Sequence, residues 1–110
     1  MNENNNPEPA SKPGFVMVHM KVHSLDDLNE RYAPHVFPIL AKHGGEMIAG
    51  TATPEVKEGE WNGNWAAVLR FPSVQAARNW YHDVEYQPYR ELRIKEIQSE
   101  AGRVVILEGF

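Results

Sequence analysis

The chain has no cysteine, so disulfides, thiol nucleophiles and thiolate metal sites are excluded together. Such a chain suits a reducing compartment, and a cytoplasmic location is the expectation. Positive charge is scarce. The formal net charge is -4, and Lys and Arg form no run. Nothing here seeks out a phosphate backbone, so nucleic acid is not an expected partner. No apolar run approaches the roughly 20 residues of a membrane-spanning helix, so no membrane is expected either. The opening MNENNNPEPASKPG lacks the basic start and apolar core of a secretion signal. The phosphate-cradling and nucleophile motifs GxGxxG, GxxxxGK[ST] and GxSxG are missing, which disfavours dinucleotide chemistry and serine acyl transfer. No cofactor is expected.

Histidine occurs five times, at His19, His23, His35, His43 and His82. His19 and His23 stand four apart in a strand-like stretch, about 13 Å between Cα atoms, and cannot share one ion. The others lack a helical spacing of three or four. No metal site is expected.

What is present reads as one small α+β domain. The polar, Asn- and Pro-rich residues 1–13 cannot bury enough surface to order themselves and are expected to form a flexible tail. Residues 14–110 are expected to form the folded domain. FVMVHMKVH (15–23) alternates with period two, a strand. Val16, Val18, Met20 and Val22 form its apolar set; Met17, His19 and Lys21 point the other way. Ser24 offers an N-cap with Asp27 three residues on. Leu25, Leu28, Tyr32, Val36, Phe37 and Leu40 then follow at helical spacing. Pro34 and Pro38 predict a kinked helix or two short ones, ending at His43 before Gly44-Gly45.

EMIAGTAT (46–53) predicts a weaker strand, with Gly50 at a bulge or close approach. Residues 54–63 are a polar loop. NWAAVLRF (64–71) is a third strand, and Ser73 caps a second helix. Its inward stripe is expected to be Val74, Ala77, Trp80, Tyr81 and Val84. A further helical pattern runs through Tyr86, Tyr89, Leu92 or Arg93, and Ile97, with Pro88 in its first turn. Residues 103–109 form the last strand. The order β-α-β-β-α-β is that of the ferredoxin-like fold, an antiparallel four-stranded sheet with both helices on one face. The other sheet face is left bare.

Several segments together resemble a known family: AKHGGEMIAG (41–50), EGEW (58–61), RFPSVQAARNWYHDVEYQPYRELR (70–93) and VVILEGF (104–110). They are similar to the bacterial family named domain of unknown function thirteen-thirty, across about residues 14–110. The resemblance implies a ferredoxin-like fold that forms a homodimer through its bare sheet, a dimeric α+β barrel. Relatives in that wider fold group include cofactor-free monooxygenases, muconolactone-type isomerases and haem proteins. The family itself has no assigned activity, and fold likeness supplies no reaction.

Residues 71–93 hold five of the chain's eleven Phe, Trp and Tyr residues, which suggests either a filled core or a pocket wall. Trp80 reads as core. Tyr81 and Tyr86, with Tyr32 on the first helix, bring hydroxyls that can ring a cleft between helices and sheet. Arg93 adds a cation suited to a carboxylate or enolate; the bland alternative is an ion pair with Glu85 or Glu96. His19 and Glu60 are the candidate catalytic, proton-transferring groups, and Trp61 is a further candidate ligand contact. A structural alternative for His19 is a buried network with Arg70 and Glu108 across an interface. The expected function is binding of a small organic anion, with or without cofactor-free isomerase or monooxygenase chemistry. The competing reading is a non-enzymatic dimeric accessory or stress-response module. Whether the protein is an enzyme is left open.

Overall fold

A computed structural model describes residues 12–110. Strand β1 (Gly14–Met20) leads to a helical arm: α1 (Leu25–Asp27), a turn of π-helix (Leu28–Tyr32) and α2 (Ala33–Lys42). Strands β2 (Glu46–Thr51) and β3 (Trp65–Phe71) follow. A second arm comprises α3 (Val74–Tyr81), α4 (Gln87–Leu92) and another π-helical turn (Arg93–Ile97). Strand β4 (Arg103–Glu108) ends the fold. The sheet order is β2-β3-β1-β4 with every pairing antiparallel. This is the ferredoxin-like α+β arrangement the pattern of elements predicts.

Local chemistry sets the element ends. The Asp27 N–H donates to Ser24 Oγ at 3.2 Å, and the Ala76 N–H to Ser73 Oγ at 3.0 Å. Each cap satisfies one of the donors a helix start leaves without a partner. Gly44 ends α2 at φ 74°, a left-handed conformation that a Cβ disfavours. Pro38 lies inside α2 and Pro34 in its first turn. The arm is not one uniform helix: a π turn interrupts it just upstream of Pro34, where the Ala33 N–H reaches back to the Leu28 carbonyl.

The register fixes which side chains share a face. Val16 pairs with Leu69 and Ile106, while Met17 pairs with Val68 and Val105. Val16, Met20, Leu69 and Phe71 are buried with Val36, Leu40, Ala77, Trp80 and Tyr86 between sheet and helices. Phe15, Met17, His19, Val68, Val105 and Leu107 occupy the opposite face. There Met17, Val105 and Leu107 are exposed.

Two expectations need correction. Val84 is 81% exposed rather than part of an inward stripe. Asp83 Oδ1 accepts from the Glu85 N–H at 2.8 Å, and this turn ends the helical phase before Val84. Regular pairing of β1 stops at Met20, and Val22 makes only an isolated bridge to Gln98. Of the two roles expected of Gly50, close approach is the one seen: it lies against Trp65, and the register shift in β2 falls between Met47 and Ala49. The tail assigned to residues 1–13 lies outside the described residues except for its last two. Of these, Pro13 is tied to the sheet end, its carbonyl accepting from the Gly109 N–H at 2.7 Å.

Candidate ligand site

The two π-helical turns face one another and are joined at their rim by Arg31 and Glu96, 2.7 Å apart. A π turn adds one residue to a helical turn and so re-aims the side chains beside it. One turn carries Tyr32 and the other Arg93. Tyr86 stands between them. Its hydroxyl is 2.5 Å from that of Tyr32, and Arg93 Nη2 is 3.5 Å from it. The guanidinium also lies over the Tyr32 ring, 5.9 Å from the centroid. From behind, Arg93 Nη1 donates to Gln98 Oε1, and Gln98 Nε2 donates onward to the Glu100 carbonyl at 3.1 Å.

Arg93 is 3% exposed and Tyr86 1%. Among the described residues no carboxylate pairs with Arg93. Glu96 is taken by Arg31, and Glu85 by Lys42. The ion-pair alternative for Arg93 is thereby set aside. A buried charge normally has a partner, because desolvation costs several kcal/mol per ion, of order, in real proteins. Burial opposes the charge on Arg93 and the neighbouring tyrosine hydroxyls favour it; the net direction is upward, so the group is cationic. Burial, followed by the neighbouring Tyr86, pushes the Tyr32 hydroxyl well above the usual tyrosine range. Tyr32 therefore keeps its proton at neutral pH.

These three residues border a cavity of about 100 Å³ between the helices and the sheet. Apart from Asn29 the rest of its wall among the described residues is apolar, including Val18, Val36, Leu40, Leu69 and Trp80. Asn29, Phe37 and Met47 are its exposed members and mark its mouth. Trp80 is 3% exposed, and its indole N–H has no partner among the described residues. Among the described residues the polar side chains at the buried end are the Arg93 guanidinium and the Tyr32 and Tyr86 hydroxyls.

The other sequence-derived candidates lie elsewhere. Tyr81 does not border this cavity. It lines an outer cleft on the far side of Arg93, where its hydroxyl accepts from Arg90 Nη1 at 3.3 Å. His19, Glu60 and Trp61 come together, but on the opposite face of the sheet. Alternation along β1 sends His19 away from Val18 and Met20, so neither His19 nor Glu60 is a proton-transfer group for a ligand at Arg93. The His19 and Trp61 rings stack at 4.1 Å. Gly63 permits this, since a Cβ there would stand 2.7 Å from the imidazole. The expected His19-Arg70-Glu108 network does not form. Glu108 pairs with Gly14 and so takes the opposite face from Arg70. The cation beside His19 is Arg103, whose Nη1 is 3.4 Å from Nδ1.

Sequence reading missed Gln98, Phe37 and Met47 as parts of the site. Their roles come from chain crossings that periodicity does not encode. Among the described residues no three His, Asp or Glu side chains gather as a metal would need, and no helix is long and apolar enough to cross a membrane.

Comparison with known proteins agrees with this fold. A crystal structure of RPA0582, a protein of unknown function from Rhodopseudomonas palustris, aligns with a TM-score of 0.69 at 15% identity, covering 97% of this chain and 88% of that one. The methylated RPA0582 protein aligns with a TM-score of 0.72 at 15% identity, covering 97% and 86%. At that identity the likeness concerns the fold alone. No curated protein matches the chain. The model of the family described as domain of unknown function (DUF1330) matches residues 13–110, and the chain belongs to that family.

Proposed function

We propose that the protein binds a small organic anion in the cavity between its helices and sheet, and works as a homodimer joined through the open sheet face. Arg93 carries the reading: a guanidinium 3% exposed, with no carboxylate beside it among the described residues, at the edge of an apolar cavity. Tyr86 and Tyr32 supply hydroxyls at the same end. An apolar pocket with a few convergent polar groups is the usual form of a small-molecule site. Among the described residues the wall holds no carboxylate or imidazole to take a proton from carbon, and Tyr32 retains its own. That favours binding over acid–base catalysis at this site. The dimer is supported by the apolar open face, where Met17, Val105 and Leu107 stand exposed.

The test is a thermal-shift screen against small organic anions, phenols and lactones. A ligand that binds only the folded state stabilises it by about 2.7 kcal/mol at a hundredfold excess over its dissociation constant. The shift should vanish in Arg93→Ala and shrink in Tyr86→Phe, with both variants folded by circular dichroism. A panel with no hit, or hits indifferent to both substitutions, refutes the reading.

A further inference from the structure

The polar groups of the cavity and its volume narrow the ligand's chemistry beyond that reading, on which this inference rests. We infer that the ligand is an aliphatic monocarboxylate, its carboxylate on Arg93 and the Tyr32–Tyr86 hydroxyl pair, its tail along the apolar wall toward Phe37 and Met47.

The buried end offers one cation. A monoanion neutralises it; a dianion such as phosphate would bring a second charge with no partner into an apolar cavity, at a large desolvation cost. The remaining polar groups there are the two tyrosine hydroxyls, which suit a group rich in acceptor oxygens. A guanidinium held from behind by Gln98 presents its remaining N–H edge in a plane, the geometry that a carboxylate matches. Val18, Val36, Leu40 and Leu69 give the buried part of the ligand no hydrogen-bonding partner, and Asn29 stands at the exposed rim, so the buried tail is hydrocarbon.

Size follows from the volume. A cavity of about 150 Å³ accommodates benzene in a known apolar case. On that scale the about 100 Å³ here takes about four non-hydrogen atoms, the carboxylate included. A longer tail must emerge between Phe37 and Met47, where further methylenes stay half in water.

The measurement is isothermal titration calorimetry of the full chain at neutral pH with acetate, butanoate, hexanoate and octanoate. Hexanamide, inorganic phosphate and benzoate are the comparison probes. Affinity should rise by up to about fourfold per methylene, the value for full burial of one CH₂ group, and flatten by octanoate. Hexanamide should bind at least about tenfold more weakly than hexanoate, as expected for losing a hydrogen bond to a charged group. Phosphate should neither bind nor displace hexanoate. In Arg93→Met the acid and amide should bind alike. If that variant does not fold, Tyr86→Phe must still weaken hexanoate more than hexanamide. A flat chain-length series, equal binding of acid and amide, or displacement by phosphate overturns the inference. Binding of benzoate, phenols or lactones with every straight-chain acid silent overturns it and leaves the anion or small-molecule pocket standing. Silence of every probe sinks both.

Discussion

Arg93 shows how function and stability pull apart at one residue. Its guanidinium is buried, hydrogen-bonded to Gln98, and without a counter-ion among the described residues. Replacing a buried charged group by an apolar one of similar length often stabilises a fold, by about 1–4 kcal/mol where a whole ion pair or triad is replaced. Arg93→Met is therefore expected to raise the midpoint of urea unfolding while it abolishes anion binding. A loss of several kcal/mol instead would mean that Arg93 is held for packing and its hydrogen bonds rather than for a ligand. The tyrosines and Arg93 were legible in the sequence because helical spacing put Tyr86, Arg93 and Ile97 on one stripe. Gln98 was not, because its bond to Arg93 depends on how the chain leaves the second π turn. Nor was the place of Tyr81. It has the same residue type and helical phase as its neighbours, yet falls on the outer side of Arg93.

At the scale of elements, the helix ends do much of the positioning. The loop from α2 into β2 runs tight against the sheet at Gly45, where an added Cβ would stand 2.3 Å from the Phe71 ring. Phe71 is fully buried and cannot yield cheaply. Gly45→Ala should cost about 1–3 kcal/mol, the usual penalty of overpacking a core. Urea unfolding of the variant checks this, and a cost near zero would show that the loop gives way. The two helical arms also meet at Asp83. Its Oδ2 is 2.7 Å from Lys42 Nζ and 2.7 Å from His43 Nε2.

Lys42 first, then His43 and the Glu85 N–H, hold the Asp83 carboxyl well below the ordinary carboxylate range. A depressed carboxylate stabilises the fold fully above its unfolded pKa of about 3.9 and loses that contribution as pH falls toward the folded value. Asp83→Asn should thus be less stable than the parent near neutral pH, and the gap should close progressively below about pH 4. Unfolding melts of both proteins from acid to neutral pH decide it. A gap that does not change with pH would assign the effect to lost hydrogen bonds rather than to charge. The capping signals at Ser24 and Ser73 made these arms readable in advance. The π turns were not readable, because the four-residue spacings Leu28 to Tyr32 and Arg93 to Ile97 suit an α turn and a π turn alike.

The whole molecule separates its candidate residues by the sheet. Alternation along β1 was readable from FVMVHMKVH, and the structure keeps it: Val16 and Met20 inward, Met17 and His19 outward. Pairing across strands was not readable, which is why His19 meets Arg103 rather than Arg70 and Glu108. The outward face combines exposed Met17, Val105 and Leu107, and Met17 is directly paired with Val105. A contiguous apolar patch on a small domain is a mark of association. A domain of this size also buries a modest share of its surface alone, roughly 60–70%. The proposed face-to-face dimer would cover that patch and enclose the His19–Trp61 stack. The protein should sediment at twice the chain mass of 12.5 kDa. A charge at the centre of the patch, as in Val105→Glu, places a desolvated carboxylate opposite its own symmetry mate and should yield monomers. The substitution leaves the Arg93 cavity on the far face untouched. Monomers that still bind the anion would make the two faces independent; monomers that lose it would place the dimer upstream of binding. A Val105→Glu protein that still sediments as a dimer would exclude this face as the contact.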